Sequence, residues 1–172
     1  MNVKILNPFL EAAAEVVATE CQTKVTRGNL TLQKSAMTAD EVTVLISLIG
    51  KVQGVALYGM SVQTGLGLVS RVMGQTFAEF DSLAQSGVAE LGNVISGRAT
   101  VKLSQAGFTA DISPPTLILG SGLTVSTLDF PRIVVPLSTE VGDITVHLAL
   151  REAPSETSNS VYVPLSIPAG AK

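Results

Sequence analysis

The sequence predicts an α+β fold, with long helices packed on a largely antiparallel β-sheet. Three observations carry this. Apolar residues recur at helical spacing near the N-terminus and again over 82–104. Apolar, β-branched runs of strand length cluster at 42–58 and 133–150. Turn residues separate those runs, and the helical and strand blocks do not alternate as they would in a parallel sheet.

Taken in chain order, Asn7-Pro8 reads as a helix start, Asn as the cap and Pro at the first helical position. Phe9, Ala13, Val16, Val17 and Cys21 follow at helical spacing, so a helix is expected over 8–22. Weak alternation marks 29–33 as a strand. The runs 42–49 and 52–58 are predicted strands, joined by a turn at Gly50-Lys51. Residues 61–73 predict a second helix, with Leu66, Val69 and Met73 on one side and Gly74 as its stop. A long helix is expected over 80–105. Short strands at 109–112 and 116–119 flank Pro114-Pro115, and 133–137 with 144–150 form a hairpin around Gly142-Asp143. At Glu152 the composition shifts to a linker-like run. The expected domain is therefore 1–151, and 152–172 is a C-terminal extension. That extension is either a flexible tail or an edge strand carrying Val161, Val163, Leu165 and Ile167, since Pro164 confines any strand there to an edge.

Composition narrows the function classes. The 172 residues suit one domain with a substantial core. Hydrophobic residues make up 46 % and aromatics 4 %, with no tryptophan, so that core must be aliphatic. A net charge of -3 and a pI of about 5.1 argue against a nucleic-acid partner. The one cysteine excludes an intrachain disulfide and fits a reducing, cytoplasmic compartment. The N-terminus lacks a signal-peptide pattern. The apolar stretch 42–60 is broken by Gly50, Lys51, Gln53 and Gly54, short of the ~20 residues a membrane span needs.

The long helix is the informative element. At about 100° per residue, Ala84, Val88, Leu91, Ile95 and Ala99 form a core stripe. Ser82, Ser86, Glu90, Asn93, Gly97, Thr100 and Ser104 fall close together on roughly the opposite side. Exposed helix faces usually carry Lys, Glu, Arg and Gln. Here Asn is a weak helix former, and Gly97 costs about 1 kcal/mol relative to Ala. Gly87 and Gly92 add to that cost. The pattern implies a flat surface that another molecule approaches closely. Glu90 and Asn93 are three residues apart, so their side chains are neighbours. No basic residue lies three or four positions from Glu90, which leaves it open to a cation from outside. A carboxamide is a poor base, so Asn93 would act by positioning a nucleophile. Phosphoryl transfer suits that strategy, because its catalysis is mostly placement and charge stabilisation. The bare Glu-x2-Asn spacing is also common on ordinary solvated helices.

The fuller string over 81–98 resembles the signature helix of the CheC/CheX/FliM family, whose pattern is roughly Asp/Ser-x3-Glu-x2-Asn-x3-Pro/Gly. Ser86, Glu90, Asn93 and Gly97 meet it. Ile112-Ser113-Pro114-Pro115-Thr116 and the opening Asn7-Pro8-Phe9-Leu10 are also similar to CheX. The resemblance implies a phosphatase acting on the aspartyl-phosphate of a CheY-type response regulator. Asn93 would orient the attacking water and Glu90 would pair with the regulator's active-site lysine. Ser86 and Gly97 would belong to the partner-binding surface. Mg²⁺ would sit on the regulator, and the chain would have no cofactor of its own. A homodimer joined through the sheet is implied as well. Two-site CheC members carry a second motif, whereas the first helix here has Glu11 and Glu15 followed three residues later by Ala14 and Ala18. A single active helix fits CheX. The alternatives are a non-catalytic regulator-binding module, as in FliM, and a dimerising scaffold without a regulator partner.

Four further residues are assigned. His147, the one histidine, opposes the apolar parity of its strand and is expected at a surface or interface. Cys21 lies on the apolar side of the first helix and reads as a small core residue. Gly65 and Gly67 lack a following Lys-Ser/Thr, so no phosphate loop is expected.

Overall fold

The structure, a computed structural model, describes residues 2–127 and 130–154. The segment 161–167, read above as either an edge strand or part of a flexible tail, lies outside them. Helix α1 spans Val3–Glu20, followed by strands β1 (Thr26–Arg27), β2 (Thr31–Gln33), β3 (Ala36–Thr38), β4 (Val42–Gly50) and β5 (Val52–Met60). Helices α2 (Val62–Met73) and α3 (Ser82–Gln105) come next. Strands β6 (Ala110–Ile112), β7 (Thr116–Leu119), β8 (Thr124–Ser126), β9 (Arg132–Thr139) and β10 (Gly142–Glu152) complete the described chain.

The main sheet runs β1-β9-β10-β5-β4-β6, with β2 also on β9 and β7 also on β4. Among the described residues its pairings are all antiparallel. The β4–β5 hairpin turns tightly at Lys51, because Gly50 takes a φ of 130° that side-chain-bearing residues rarely adopt. The β9–β10 turn falls at Glu140-Val141, two residues before the expected position. Gly142, at φ 131°, opens β10 instead.

Period-2 alternation decides which sheet face is the core. Val42, Val44, Ile46 and Leu48 of β4 and Ile144, Val146, Leu148 and Leu150 of β10 all point into one apolar cluster. Ala56, Tyr58 and Met60 of β5 join them, and the three helices close over this face. Burying each such aliphatic side chain contributes about 1.5–3 kcal/mol.

Helix α1 begins five residues earlier than the Asn7-Pro8 signal indicated. Asn2 is the cap, its side chain accepting from the Lys4 N–H at 3.0 Å, and Pro8 lies inside the helix. Burial of Ile5 and Leu6 draws the extra turn into the core at the expense of the hydrogen bond Pro8 cannot donate. Strands β1, β3 and β8 were not anticipated. Each has three residues or fewer, too few to show alternation. β3 and β8 pair with each other in a separate two-stranded sheet. Among the described residues no helix is long and apolar enough to cross a membrane.

Candidate active site on the third helix

The site is built on α3, and the sequence determines how firmly that helix is held. Asp81 caps it, its Oδ1 accepting from the Ala84 N–H at 2.9 Å. On the underside, Ala84, Val88, Leu91, Ile95 and Ala99 are all buried, as the helical spacing predicted. Ser96 is fully buried and its hydroxyl meets the Tyr58 hydroxyl at 2.8 Å, tying α3 to β5. On one flank, Lys102 reaches Glu15 of α1 at 3.0 Å and Glu11 at 3.7 Å, and Arg98 reaches Glu15 at 3.8 Å. Lys102 holds the Glu15 carboxyl below the usual carboxylate range, by hydrogen bond first and charge second.

Two of the helix glycines have a role different from the expected one. Gly92 is buried against the sheet, where a Cβ would come within 2.7 Å of Val44 Cγ1 and 3.3 Å of Tyr58 Cδ2. Gly87 is buried against Val69 and Met73 of α2. Both let neighbouring elements approach α3 and neither belongs to its outer face. Gly97 differs, since a Cβ there would meet nothing within 4 Å.

The outer face carries Glu90, which is exposed, and Asn93, which is half-buried. Asn93 Nδ2 donates to Glu90 Oε2 at 3.3 Å. A carboxylate only accepts, so the amide must turn its NH₂ toward Glu90 and leave Oδ1 as its outward acceptor. Among the described residues Glu90 makes no ion pair, and its carboxylate remains available to an external cation. The pair thus presents a negative charge beside an oriented carbonyl oxygen. Such a site can hold a cation and steer a water, but it offers no strong base. Ser86 lies one turn earlier and its hydroxyl donates back to the Ser82 carbonyl at 2.9 Å, so it presents a small surface.

The sequence reading missed the apolar part of this face. Leu83, Val94 and Val101 are 50 %, 39 % and 53 % exposed. Their positions at about 100° per residue align them with Glu90 and Gly97. The same angular reckoning over the apolar residues could have found them.

His147 departs from expectation. It is 6 % exposed, and its Nδ1 lies 2.7 Å from Arg132 Nη1. Arg132 is itself buried and also donates to the carbonyls of Lys34, Ser35 and Ala36. The segment before β4 thus covers a sheet position that parity alone assigned to the surface. Burial first, then the Arg132 charge, pushes the imidazole down to about 4. Cys21 is buried as expected, and burial raises its thiol to about 11. Among the described residues no group of three or more His, Cys, Asp or Glu is placed to hold a metal.

Comparison with known proteins agrees with this architecture. The chain is 26 % identical over 153 residues to the CheY-P phosphatase CheX of Thermotoga maritima, covering 88 % of this chain and 98 % of that one. It superposes on a CheC-like superfamily protein from Shewanella sp. PV-4 with a TM-score of 0.80 at 25 % identity, covering 88 % of this chain and 99 % of the other. It also superposes on the CheX–CheY–BeF₃–Mg²⁺ complex of Borrelia burgdorferi, at TM-score 0.71 and 27 % identity over 88 % of this chain and 100 % of that one. The family model for chemotaxis phosphatase CheX matches residues 42–138, which run from the first core strand through the helix bearing Glu90 and Asn93 to the β9 strand. A match over more than half of the chain, together with the shared fold, establishes that the chain belongs to the CheX family.

Proposed function

We propose that this chain hydrolyses the aspartyl-phosphate of a CheY-type response regulator, with Asn93 and Glu90 as the residues that act. The single observation that carries the reading is the Asn93–Glu90 hydrogen bond on the outer face of α3. Asn93 Oδ1 accepts from a water and holds it in line with the phosphorus. The water oxygen bonds to phosphorus as the bond to the aspartyl oxygen breaks, and the carboxylate leaves with the electron pair. The released proton passes to phosphate or solvent. Correct placement of the nucleophile can contribute several kcal/mol to such a step. Glu90 pairs with a lysine of the receiver and sets the docking register. The resident Mg²⁺ belongs to the receiver, where it offsets phosphoryl charge. The Borrelia relative's complex with CheY, BeF₃ and Mg²⁺ supports this division of parts.

The reading extends to a homodimer joined through the sheet. An apolar groove of 290 Å³ on the outer sheet face, lined by Leu45, Val55, Val125 and Phe130, is the surface such a contact would cover. Sedimentation of the chain at micromolar concentration tests it, and a monomer rejects it.

The catalytic reading is tested by Asn93→Ala with purified phosphorylated receiver. Hydrolysis is expected to fall by about 100-fold with the fold unchanged. An unchanged rate rejects the role of Asn93. A wild-type chain that binds the receiver without accelerating phosphate loss makes it a non-catalytic binding module instead.

A further inference from the structure

A shallow groove of 320 Å³ opens beside the C-terminal half of α3, between that helix and the ends of β4 and β6. Its rim carries Ile49 and Val101, which are 66 % and 53 % exposed, and the exposed carboxylate Asp111. Large apolar side chains that far into water are normal singly, but two across one groove mark a contact surface.

The groove is continuous with the proposed site. Asn93, Gly97 and Val101 follow one another at four-residue intervals, so they form a single line along the helix. Gly97 leaves the middle of that line clear, with open space where a Cβ would be. A partner segment lying on Asn93 can therefore run across Gly97 without obstruction and reach the groove about 12 Å further along the axis. Of the residues lining the groove only Asp111 is charged. Asp111 makes no ion pair among the described residues, while Arg98 and Lys102 are engaged with Glu11 and Glu15 on the α1 flank.

We infer that this groove is a second anchor for the receiver domain, taking an apolar side chain between Ile49 and Val101 and a basic one beside Asp111. The inference rests on the proposed docking of a receiver at Glu90 and Asn93. It assigns partner choice to residues outside that pair, on the C-terminal side of the helix.

The test uses the full chain with the CheY-type receiver that the wild type dephosphorylates fastest, and the same receiver loaded with beryllofluoride and Mg²⁺ for binding. Ile49→Lys and Val101→Lys are both surface substitutions. Each is expected to raise KM, and to weaken binding, by about tenfold while kcat is retained. Asp111→Lys is expected to weaken binding and reduce its salt sensitivity. Leu32→Lys, at an exposed apolar residue on β2 at the opposite edge of the sheet, is expected to leave both parameters within twofold. If the wild type is active and Val101→Lys and Ile49→Lys leave KM unchanged, the groove is not an anchor, although the catalytic reading stands. If Leu32→Lys raises KM as much as they do, the assignment to this groove is wrong. A wild type that neither binds nor hydrolyses any receiver overturns the catalytic reading and the anchor together.

Discussion

The Tyr58 hydroxyl on β5 lies 2.8 Å from the Ser96 hydroxyl on α3, with both residues out of contact with water. Burial pushes the Tyr58 phenol above its ordinary range, so it stays neutral and serves as a hydrogen-bonding group. Tyr58→Phe strands the Ser96 hydroxyl, and Ser96→Ala strands that of Tyr58. Each is expected to cost about 1–3 kcal/mol in urea unfolding. The double variant removes both polar groups and should cost less than the sum. Additive losses would mean that the two hydroxyls are not energetically coupled.

Alanine substitutions at two glycines of α3 should move stability in opposite directions. At Gly92 the new methyl meets Val44 Cγ1 at 2.7 Å, and overpacking of about 1–3 kcal/mol exceeds the helix-propensity gain of about 1 kcal/mol. At Gly97 the methyl meets nothing within 4 Å, so Gly97→Ala keeps the propensity gain. Thermal unfolding should rank Gly97→Ala above wild type and Gly92→Ala below it. The reverse order would remove the packing explanation for Gly92.

Glu90 has two separable tasks, the hydrogen bond to Asn93 and the charge offered to the partner. Glu90→Gln keeps an acceptor for Asn93 Nδ2 but loses the charge. It should raise KM for phosphorylated receiver with kcat nearly retained. Glu90→Lys places like charge against the expected lysine and should weaken docking by about tenfold or more at low salt, less at high salt. Affinity unchanged by Glu90→Lys and indifferent to salt would remove Glu90 from the interface.

Much of this was legible because α3 is long. Over 24 residues the helical period separates Ala84, Val88, Leu91, Ile95 and Ala99 from Glu90 and Asn93 without ambiguity. Gly87 and Gly92 were misread because a glycine's cost is visible in sequence, whereas the neighbour that requires it is not. Val69 and Val44 approach from other elements. Leu83, Val94 and Val101 went unnoticed because the angular reckoning sorted only the core stripe and the polar stripe and left them unplaced. His147 illustrates the remaining limit. Strand parity placed it correctly on the outer sheet face, but its cover comes from Arg132 and the segment around Ser35, contacts that span up to 98 residues of chain.

That cover makes acid stability a measurable consequence. Arginine can only donate, so His147 Nδ1 accepts from Arg132 Nη1 and the ring proton sits on Nε2, which is buried without a partner among the described residues. Protonating Nδ1 would set two cations and two donors against each other. The folded imidazole therefore titrates at about 4, against 6.5 for the ordinary group, with burial the larger cause and Arg132 the smaller. Between those values the unfolded chain binds the extra proton and the folded chain does not. Stability from this group is thus complete above pH 6.5 and declines as the pH falls toward 4, by an amount on the order of 3 kcal/mol. Carboxylates contribute their own acid loss, so the comparison is between wild type and His147→Gln. The gap in unfolding free energy between neutral pH and about pH 5 should be smaller in the variant. An identical gap in the two proteins would show that His147 is not held neutral by its surroundings.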